Sequence, residues 1–140
     1  MMAIEAILLG TDLVSIDRVR RLLESTAHAR EKVFAPAEVA YCESKGRLRW
    51  RHYAARFAAK EAVLKALGTG WRGALELRDI ATVPGPLGRP VLRFAAALGT
   101  ALRGAGIGGG EVSLTHDDTH AWATVILTKL ARPEVDHGTV

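Results

Sequence analysis

The sequence is poor in cysteine and has no long apolar run, and each shortage excludes a class of protein. Its 140 residues include one cysteine, Cys42, which excludes an internal disulfide and a zinc site made of cysteines alone. No apolar run approaches the roughly 20 residues of a membrane-spanning helix. The apolar residues 4–9 are too few, and lack the preceding basic residues, for a secretion signal. We therefore expect a cytoplasmic protein without a membrane segment.

The overall composition is that of a folded, globular chain. Hydrophobic residues make up 49% and charged residues 24% of the sequence, close to the average of soluble proteins, which argues against disorder. The length falls within the range of about 100–150 residues that is commonest for one domain. We predict a single domain over residues 1–130, followed by a flexible tail over residues 131–140.

The positive charge is concentrated in one early part of the chain. The net charge is +4, but ten basic and four acidic side chains lie between Arg18 and Arg56, a local charge of +6. Arginine predominates there, and its guanidinium group matches the geometry of carboxylates and phosphates. The partner is therefore expected to be a nucleic acid, an acidic protein surface or a phosphate-rich ligand. A solvated helical face accounts for the same charge equally well.

Periodicity and capping signals predict an α+β fold, because helices and strands are mixed without a regular βαβ repeat. Ser15 is the expected N-cap of an early helix, and Gly68 is expected to end the longest helix, residues 50–67. The other predicted helices are residues 36–45 and 95–103. The predicted strands are residues 4–9, 77–83, 90–94, 111–116 and 121–128, and residues 106–110 are predicted to form a glycine loop.

The long helix carries charged residues where an apolar face is expected. One arc of about 100° holds its large apolar residues, Trp50, Tyr53, Phe57, Leu64 and Leu67. Lys60 lies inside this arc and Glu61 lies at its edge. Burying an unpaired charge costs several kcal/mol, by order of magnitude, so each needs a partner, a metal, a ligand or a route to solvent. A simpler account pairs Glu61 with Lys65 and lets Lys60 extend to water.

Two further polar positions are candidates for chemistry. Asp12 follows an apolar strand, where a carboxylate can hold a hard cation, although a lone aspartate there is more often a turn or cap residue. His116 ends a short polar strand and is four residues before His120. On a helix this spacing would favour zinc, but residues 117–119 predict a turn, so zinc is the weaker alternative.

Three segments resemble, in this order and spacing, the motifs of the holo-acyl-carrier-protein synthases. They are GTDLVSIDR at residues 10–18, RFAAKEAVLKALGTG at residues 56–70 and SLTH at residues 113–116. The resemblance extends from about Ile4 to Leu130. It implies a 4′-phosphopantetheinyl transferase-like fold, in which an antiparallel sheet packs on the long central helix.

The same resemblance implies the activity and the partners. Such enzymes transfer 4′-phosphopantetheine from coenzyme A to a serine hydroxyl of an apo acyl carrier protein and release adenosine 3′,5′-bisphosphate. It implies Mg²⁺ as the cofactor, a homotrimer with active sites at subunit interfaces, and a role in fatty acid and lipid biosynthesis. No nucleic acid or membrane is expected as a partner.

Site residues follow from the same motifs. Asp12 and Glu61 match the metal-binding pair, and Lys65 matches the lysine beside the transferred phosphate, so these three are the expected catalytic residues. The general base is left open between Glu61, Asp12 and a metal-bound water, with a water-relayed route favoured. The expected coenzyme A ligands are Lys60, Lys65, Gly68, Thr69, Gly70 and His116. The expected contacts to the acidic carrier helix are Arg18, Arg21 and Arg56.

Some features leave room for other interpretations. Residues 46–52 contain more arginine than the resemblance requires; they could influence the choice of carrier, bind the 3′-phosphate of the nucleotide, or be solvated. A nucleic-acid-binding module would use this basic cluster with Trp50 and Tyr53 as stacking surfaces, but both aromatics fall on the apolar arc. An inert interface protein is the third alternative, and it does not explain why Asp12, Glu61 and Lys65 occur together with His116.

Overall fold

The structure, a computed structural model, describes residues 3–131 and combines helices with antiparallel strands, which confirms the α+β prediction. The helices are α1 Ile16–Ser25, α2 Ala29–Val33, α3 Pro36–Glu43, α4 Arg49–Leu67 and α5 Ala96–Gly104. The strands are β1 Ile4–Ser15, β2 Ile80–Pro84, β3 Pro90–Phe94, β4 Ile107–His116 and β5 His120–Leu130. No helix in this part of the chain is both long enough and apolar enough to cross a membrane.

Strands β1, β5 and β4 form a three-stranded antiparallel sheet with β5 in the centre, and β2 and β3 form a separate hairpin. The β1–β5 register places Asp12 opposite Ala123 and Ser15 opposite His120. Strand β1 therefore runs along one edge of the sheet. Its residues Asp12 and Ser15 lie where the edge meets the first helix.

Helix α4 packs across one face of this sheet through small side chains. Ala58, Ala59 and Ala62 are fully buried, and the backbones of β1 and α4 come close together at Gly10. A Cβ atom at Gly10 would lie 1.8 Å from the carbonyl oxygen of Ala62, so only glycine fits. This close approach brings Asp12, two residues further along β1, beside the part of α4 that carries Glu61 and Lys65.

Several local predictions are confirmed by the backbone. The side chain of Ser15 accepts a hydrogen bond from the amide of Arg18 and caps α1. Helix α4 begins one residue before the predicted start and ends at Gly68, whose φ of 63° lies in the left-handed region that favours glycine. The hairpin strand Pro90–Phe94 has its predicted bounds.

Other boundaries were predicted wrongly. β1 continues through the 10–12 segment to Ser15 instead of ending at Leu9. Residues 77–79 form a 3₁₀ turn before β2. The predicted glycine loop belongs largely to β4, where the register with β5 shifts between Ile107 and Gly110. The helix α2 was not predicted. The predicted tail lies outside the described residues, apart from Ala131.

Candidate active site

Asp12, Glu61 and Lys65 meet where β1 crosses α4. The Nζ atom of Lys65 donates to Asp12 Oδ1 at 2.9 Å and to the carbonyl of Thr11 at 3.0 Å. The Asp12 side chain is 15% exposed and that of Lys65 is 57% exposed. Glu61 lies one helical turn before Lys65 on the same side of α4. The structure thus brings together the three residues that were predicted to be catalytic.

The charge on Glu61 is destabilised in this arrangement. Burial raises the pKa of Glu61, the negative charge of Asp12 raises it further, and Lys65 partly offsets both effects. Two carboxylates that repel each other at a half-buried position favour a cation between them. Two carboxylates, with phosphate oxygens and waters completing the shell, suit Mg²⁺. No cluster of three or more potential protein ligands occurs among residues 3–131.

A cleft of about 720 Å³ opens beside this group. Its lining includes Asp12 and Glu61 from the charged group, Arg18 and Leu22 from α1, Phe57 from α4, and His120 at the start of β5. Arg18 therefore points its charge toward the same space as the two carboxylates. Arg21 lies on the outer surface of α1, where its Nε atom is 3.1 Å from Asp17 Oδ2.

Lys60 is placed differently from the prediction. Its side chain is 1% exposed, and its Nζ atom donates to Glu38 Oε1 at 2.6 Å, to the carbonyl of Leu77 at 3.0 Å and to that of Ile80. Burial lowers the pKa of Lys60, whereas Glu38 opposes the shift. Lys60 thus has the partner that a buried charge requires, and this partner is Glu38. Because the ammonium group of Lys60 is used inside the protein, we leave Lys60 out of the proposed coenzyme A site.

Arg56, predicted to contact the carrier, is also buried. It is 4% exposed, its Nε atom donates to the carbonyl of Thr82 at 3.1 Å, and its guanidinium lies 4.2 Å from the ring centre of Tyr41. Its hydrogen bonds are therefore used within the chain. We place Arg56 in the support of the site and not on its docking surface.

His116 belongs to a second basic group, away from the cleft. Its ring centre is 6.3 Å from that of His52, and His52 in turn contacts Tyr41 edge-on. Burial, together with the nearby positive charges of Arg56 and Lys45, lowers the pKa of His52 to about 4. His52 precedes Glu61 by nine residues, or about 13 Å along the helix axis. His52 and His116 therefore lie apart from the group formed by Asp12, Glu61 and Lys65.

The remaining predicted ligands lie at the end of α4. Gly68, Thr69 and Gly70 form a 3₁₀ turn that starts three residues after Lys65. Gly68 and Thr69 are exposed. The turn follows the charged group closely along the chain.

The sequence analysis did not identify three residues that matter in the structure. Glu38 is fully buried and binds Lys60, and His52 adjoins His116. His120 had been considered only as a zinc ligand, although it lines the cleft. Glu38 had one signal, its place three residues after Ala35 at the start of α3, where its carboxylate accepts from the Ala35 amide at 3.0 Å. His52 and His120 had no local signal, since their neighbours are distant in sequence.

Known proteins match this fold and these motifs. The sequence model of the 4′-phosphopantetheinyl transferase superfamily matches residues 8–124. The holo-[acyl-carrier-protein] synthase of Syntrophus aciditrophicus is 45% identical over 122 residues, which are 86% of this chain and 94% of that protein.

Solved structures agree with the sequence comparison. The holo-[acyl-carrier-protein] synthase from Neisseria meningitidis has a TM-score of 0.77 and 34% identity, covering 86% of this chain and 97% of that one. The ACPS–CoA complex of Chronobacterium ammoniagenes has a TM-score of 0.78 and 27% identity, covering 91% and 100%. The chain therefore belongs to the 4′-phosphopantetheinyl transferase superfamily and, within it, to the holo-acyl-carrier-protein synthases. The predicted family, fold and class of enzyme, a transferase, are confirmed.

Proposed function

We propose that this protein transfers 4′-phosphopantetheine from coenzyme A to a serine hydroxyl of an apo acyl carrier protein, releasing adenosine 3′,5′-bisphosphate. The observation that carries the proposal is the meeting of Asp12 and Glu61 with Lys65 at one end of an open cleft. The names of its relatives and the coenzyme A bound in one of the similar structures support it.

Asp12 and Glu61 are the residues that would hold Mg²⁺. The bound cation would neutralise negative charge on the pyrophosphate of coenzyme A, which is the main requirement of phosphoryl transfer. The repulsion that raises the pKa of Glu61 would be relieved by such a cation. The fit is supported by donor type, because both groups offer only carboxylate oxygens.

The residues of this chain then position the reactants. The serine oxygen forms a bond to the phosphorus that carries pantetheine, and the bond from that phosphorus to the oxygen of the adenosine-side phosphate breaks. Lys65, exposed over half of its side chain, can turn from Asp12 toward the transferred phosphate and offset its developing charge. Glu61 accepts the serine proton through a water, since a carboxylate that holds a metal is a poor direct base.

Coenzyme A carries negative charge both at its pyrophosphate and at its 3′-phosphate, and the chain offers two positive regions. Lys65 and the turn formed by Gly68, Thr69 and Gly70 would bind near the pyrophosphate. His116, beside His52, would bind another phosphate of the ligand. The positive charges of Arg56, Lys45 and Arg51, which together with burial lower the pKa of His52, would also attract an anion there.

The acyl carrier protein would dock on α1. Arg18 lines the cleft and Arg21 lies on the outer surface of the same helix, so an acidic helix could contact both while its serine enters the cleft. These exposed charges would act mainly on encounter and specificity. A role in fatty acid biosynthesis and a cytoplasmic location stay predictions.

We also propose that the protein is a homotrimer. The sheet face opposite α4 exposes five large apolar side chains, Ile7, Leu9, Leu13, Trp122 and Ile126. Leu9 pairs with Ile126 and Leu13 with Trp122 across β1 and β5, so they form one patch. A contiguous apolar patch of this kind favours association, and self-association would place a second chain beside the β1 edge that carries Asp12.

The decisive experiment is incubation of the purified protein with coenzyme A, Mg²⁺ and a panel of apo carrier proteins, followed by intact mass measurement. We expect one phosphopantetheine to be added to at least one carrier. Asp12→Asn is the matched control, since it keeps the size of the side chain and removes its charge. Absence of the addition with every carrier would overturn the proposal.

The nucleic-acid alternative has lost its support. Trp50 is 7% exposed and Tyr53 is fully buried, so neither ring is free to stack on a base. No observation favours a second function for this cleft.

A further inference from the structure

Helix α1 separates two depressions of the surface. On one side is the cleft with Asp12 and Glu61, which Arg18 enters. On the other side is a groove of about 400 Å³ between α1 and the start of α4, into which Arg20, Arg47 and Arg51 project. Ser15 and His120 line both depressions. The two depressions therefore adjoin each other at the N-terminus of α1.

The floor of this arginine groove is built from Trp50. The guanidinium carbons of Arg20, Arg30 and Arg49 lie 5.5, 5.3 and 4.9 Å from its ring centre. Stacking on an indole fixes a guanidinium plane while leaving its N–H groups able to donate at the edge. The arginine-rich segment at residues 46–52 forms a 3₁₀ turn, Gly46–Leu48, followed by the start of α4, with Arg49 stacked on Trp50.

The arginines of the groove are only weakly neutralised within the chain. Arg20 contacts Glu24 at 3.2 Å with both side chains about half exposed. Arg51 reaches Asp118 at 4.0 Å, and the Asp118 side chain is fully exposed. Exposed ion pairs of this kind contribute little to stability. A carboxylate from a partner can therefore replace them at small cost.

We propose that the arginine groove is a second part of the carrier-docking surface and receives acidic residues of the carrier on the far side of α1. The inference rests on the proposed function, because the carrier is the partner whose serine must reach the cleft. A helix lying across Arg18 and Arg21 covers the outer face of α1. Acidic residues next to that helix then lie over Arg20 and Arg51, whose planar donors suit carboxylates.

The test uses the double variant Arg20→Glu/Arg51→Glu in the full chain. We expect KM for the apo carrier to rise by at least about tenfold, with kcat at saturating carrier and KM for coenzyme A unchanged. The salt dependence of carrier affinity should become weaker. The matched control is Arg93→Glu/Arg103→Glu, which changes the net charge equally at exposed positions on β3 and α5 and should leave KM for the carrier unchanged.

Affinity for the apo carrier, measured by fluorescence anisotropy without coenzyme A, separates the two proposals. If Arg18→Glu weakens carrier binding and the groove variant does not, the groove proposal is wrong and the proposed function stands. If the groove variant raises KM for coenzyme A instead, the groove holds a nucleotide phosphate and the docking proposal is wrong. If the wild type binds the carrier through the groove without transferring phosphopantetheine, the docking surface stands and the proposed function fails.

Discussion

At the scale of single residues, the carboxylates of Asp12 and Glu61 lie close together where β1 contacts α4, and their negative charges repel each other. Glu61 gains a proton more readily than an exposed glutamate because burial and Asp12 raise its pKa. The geometry that creates this strain depends on Gly10, since any side chain there would push β1 away from Ala62. The repulsion between the two carboxylates thus destabilises the metal-free protein, and a bound cation would relieve it.

We therefore expect Mg²⁺ to raise the melting temperature of the wild type and to have little effect on Asp12→Asn or Glu61→Gln. At 100 times the dissociation constant, the gain in unfolding free energy would be about 2.7 kcal/mol. Without Mg²⁺, Glu61→Gln should be at least as stable as the wild type, because it removes a repulsive charge. Differential scanning calorimetry checks both points. An equal Mg²⁺ effect in all three proteins would contradict the metal assignment.

His52 gives a pH dependence with a definite sign. Its pKa falls from 6.5 to about 4 on folding, so between these values the unfolded chain binds more protons than the folded protein. Stability should therefore increase as pH rises from about 4 to 6.5 and level off above that.

His52→Phe removes the group that takes up this proton. The unfolding free energy of the variant should therefore change less with pH between about 4 and 6.5. The measurement is urea denaturation of both proteins at several pH values between 4.5 and 7.5. The difference in unfolding free energy between variant and wild type should move in favour of the variant as pH falls. A difference that stays constant with pH would show that His52 titrates normally in the folded state.

At the scale of the elements, one buried ion pair connects three segments. Glu38 of α3 binds Lys60 of α4 and also accepts from the backbone amide of Thr82 in β2 at 3.1 Å. Lys60 donates to carbonyls just before and within β2. The pair fixes α4 next to the position of Glu61, and so links the core to the site.

Lys60→Met should destabilise the protein by about 3–5 kcal/mol, because it leaves the Glu38 carboxylate buried without its cation. Adding Glu38→Gln should recover part of this loss, since the amide is neutral and its oxygen can still accept from a backbone amide. Urea denaturation of the two single variants and the double variant gives the coupling energy. Strictly additive effects would show that the two side chains do not depend on each other.

At the scale of the whole molecule, we expect the exposed apolar face of the sheet to determine how chains associate. Sedimentation of the wild type should give the mass of a trimer. Leu9→Glu/Ile126→Glu places two charges at neighbouring positions of the patch and should give monomers that transfer little phosphopantetheine. Leu87→Glu, at an apolar residue exposed elsewhere, is the control and should stay trimeric. A monomeric wild type with full activity would contradict the assembly.

The sequence predicted those features of the fold that depend on interactions between neighbouring residues. The cap at Ser15 and the end of α4 at Gly68 depend on neighbouring residues. Asp12, Glu61 and Lys65 were predicted to be catalytic from their motifs, and the structure brings the three together. The extension of β1 and the incorporation of the glycines into β4 were missed, because pairing with β5 outweighs the local preference for a turn or loop.

By itself, the sequence determined the chemical groups of this protein: a carboxylate on an apolar strand, a glutamate and two lysines on one helix, and an excess of arginine early in the chain. Only the tertiary structure decided which of those groups are accessible from the surface and which are buried. Lys60 and Arg56 belong to the same motif as Glu61 and Lys65, yet they turn inward to Glu38 and Thr82. The reason is that burying a charge requires partners from other elements, and a chain acquires such partners only when it folds.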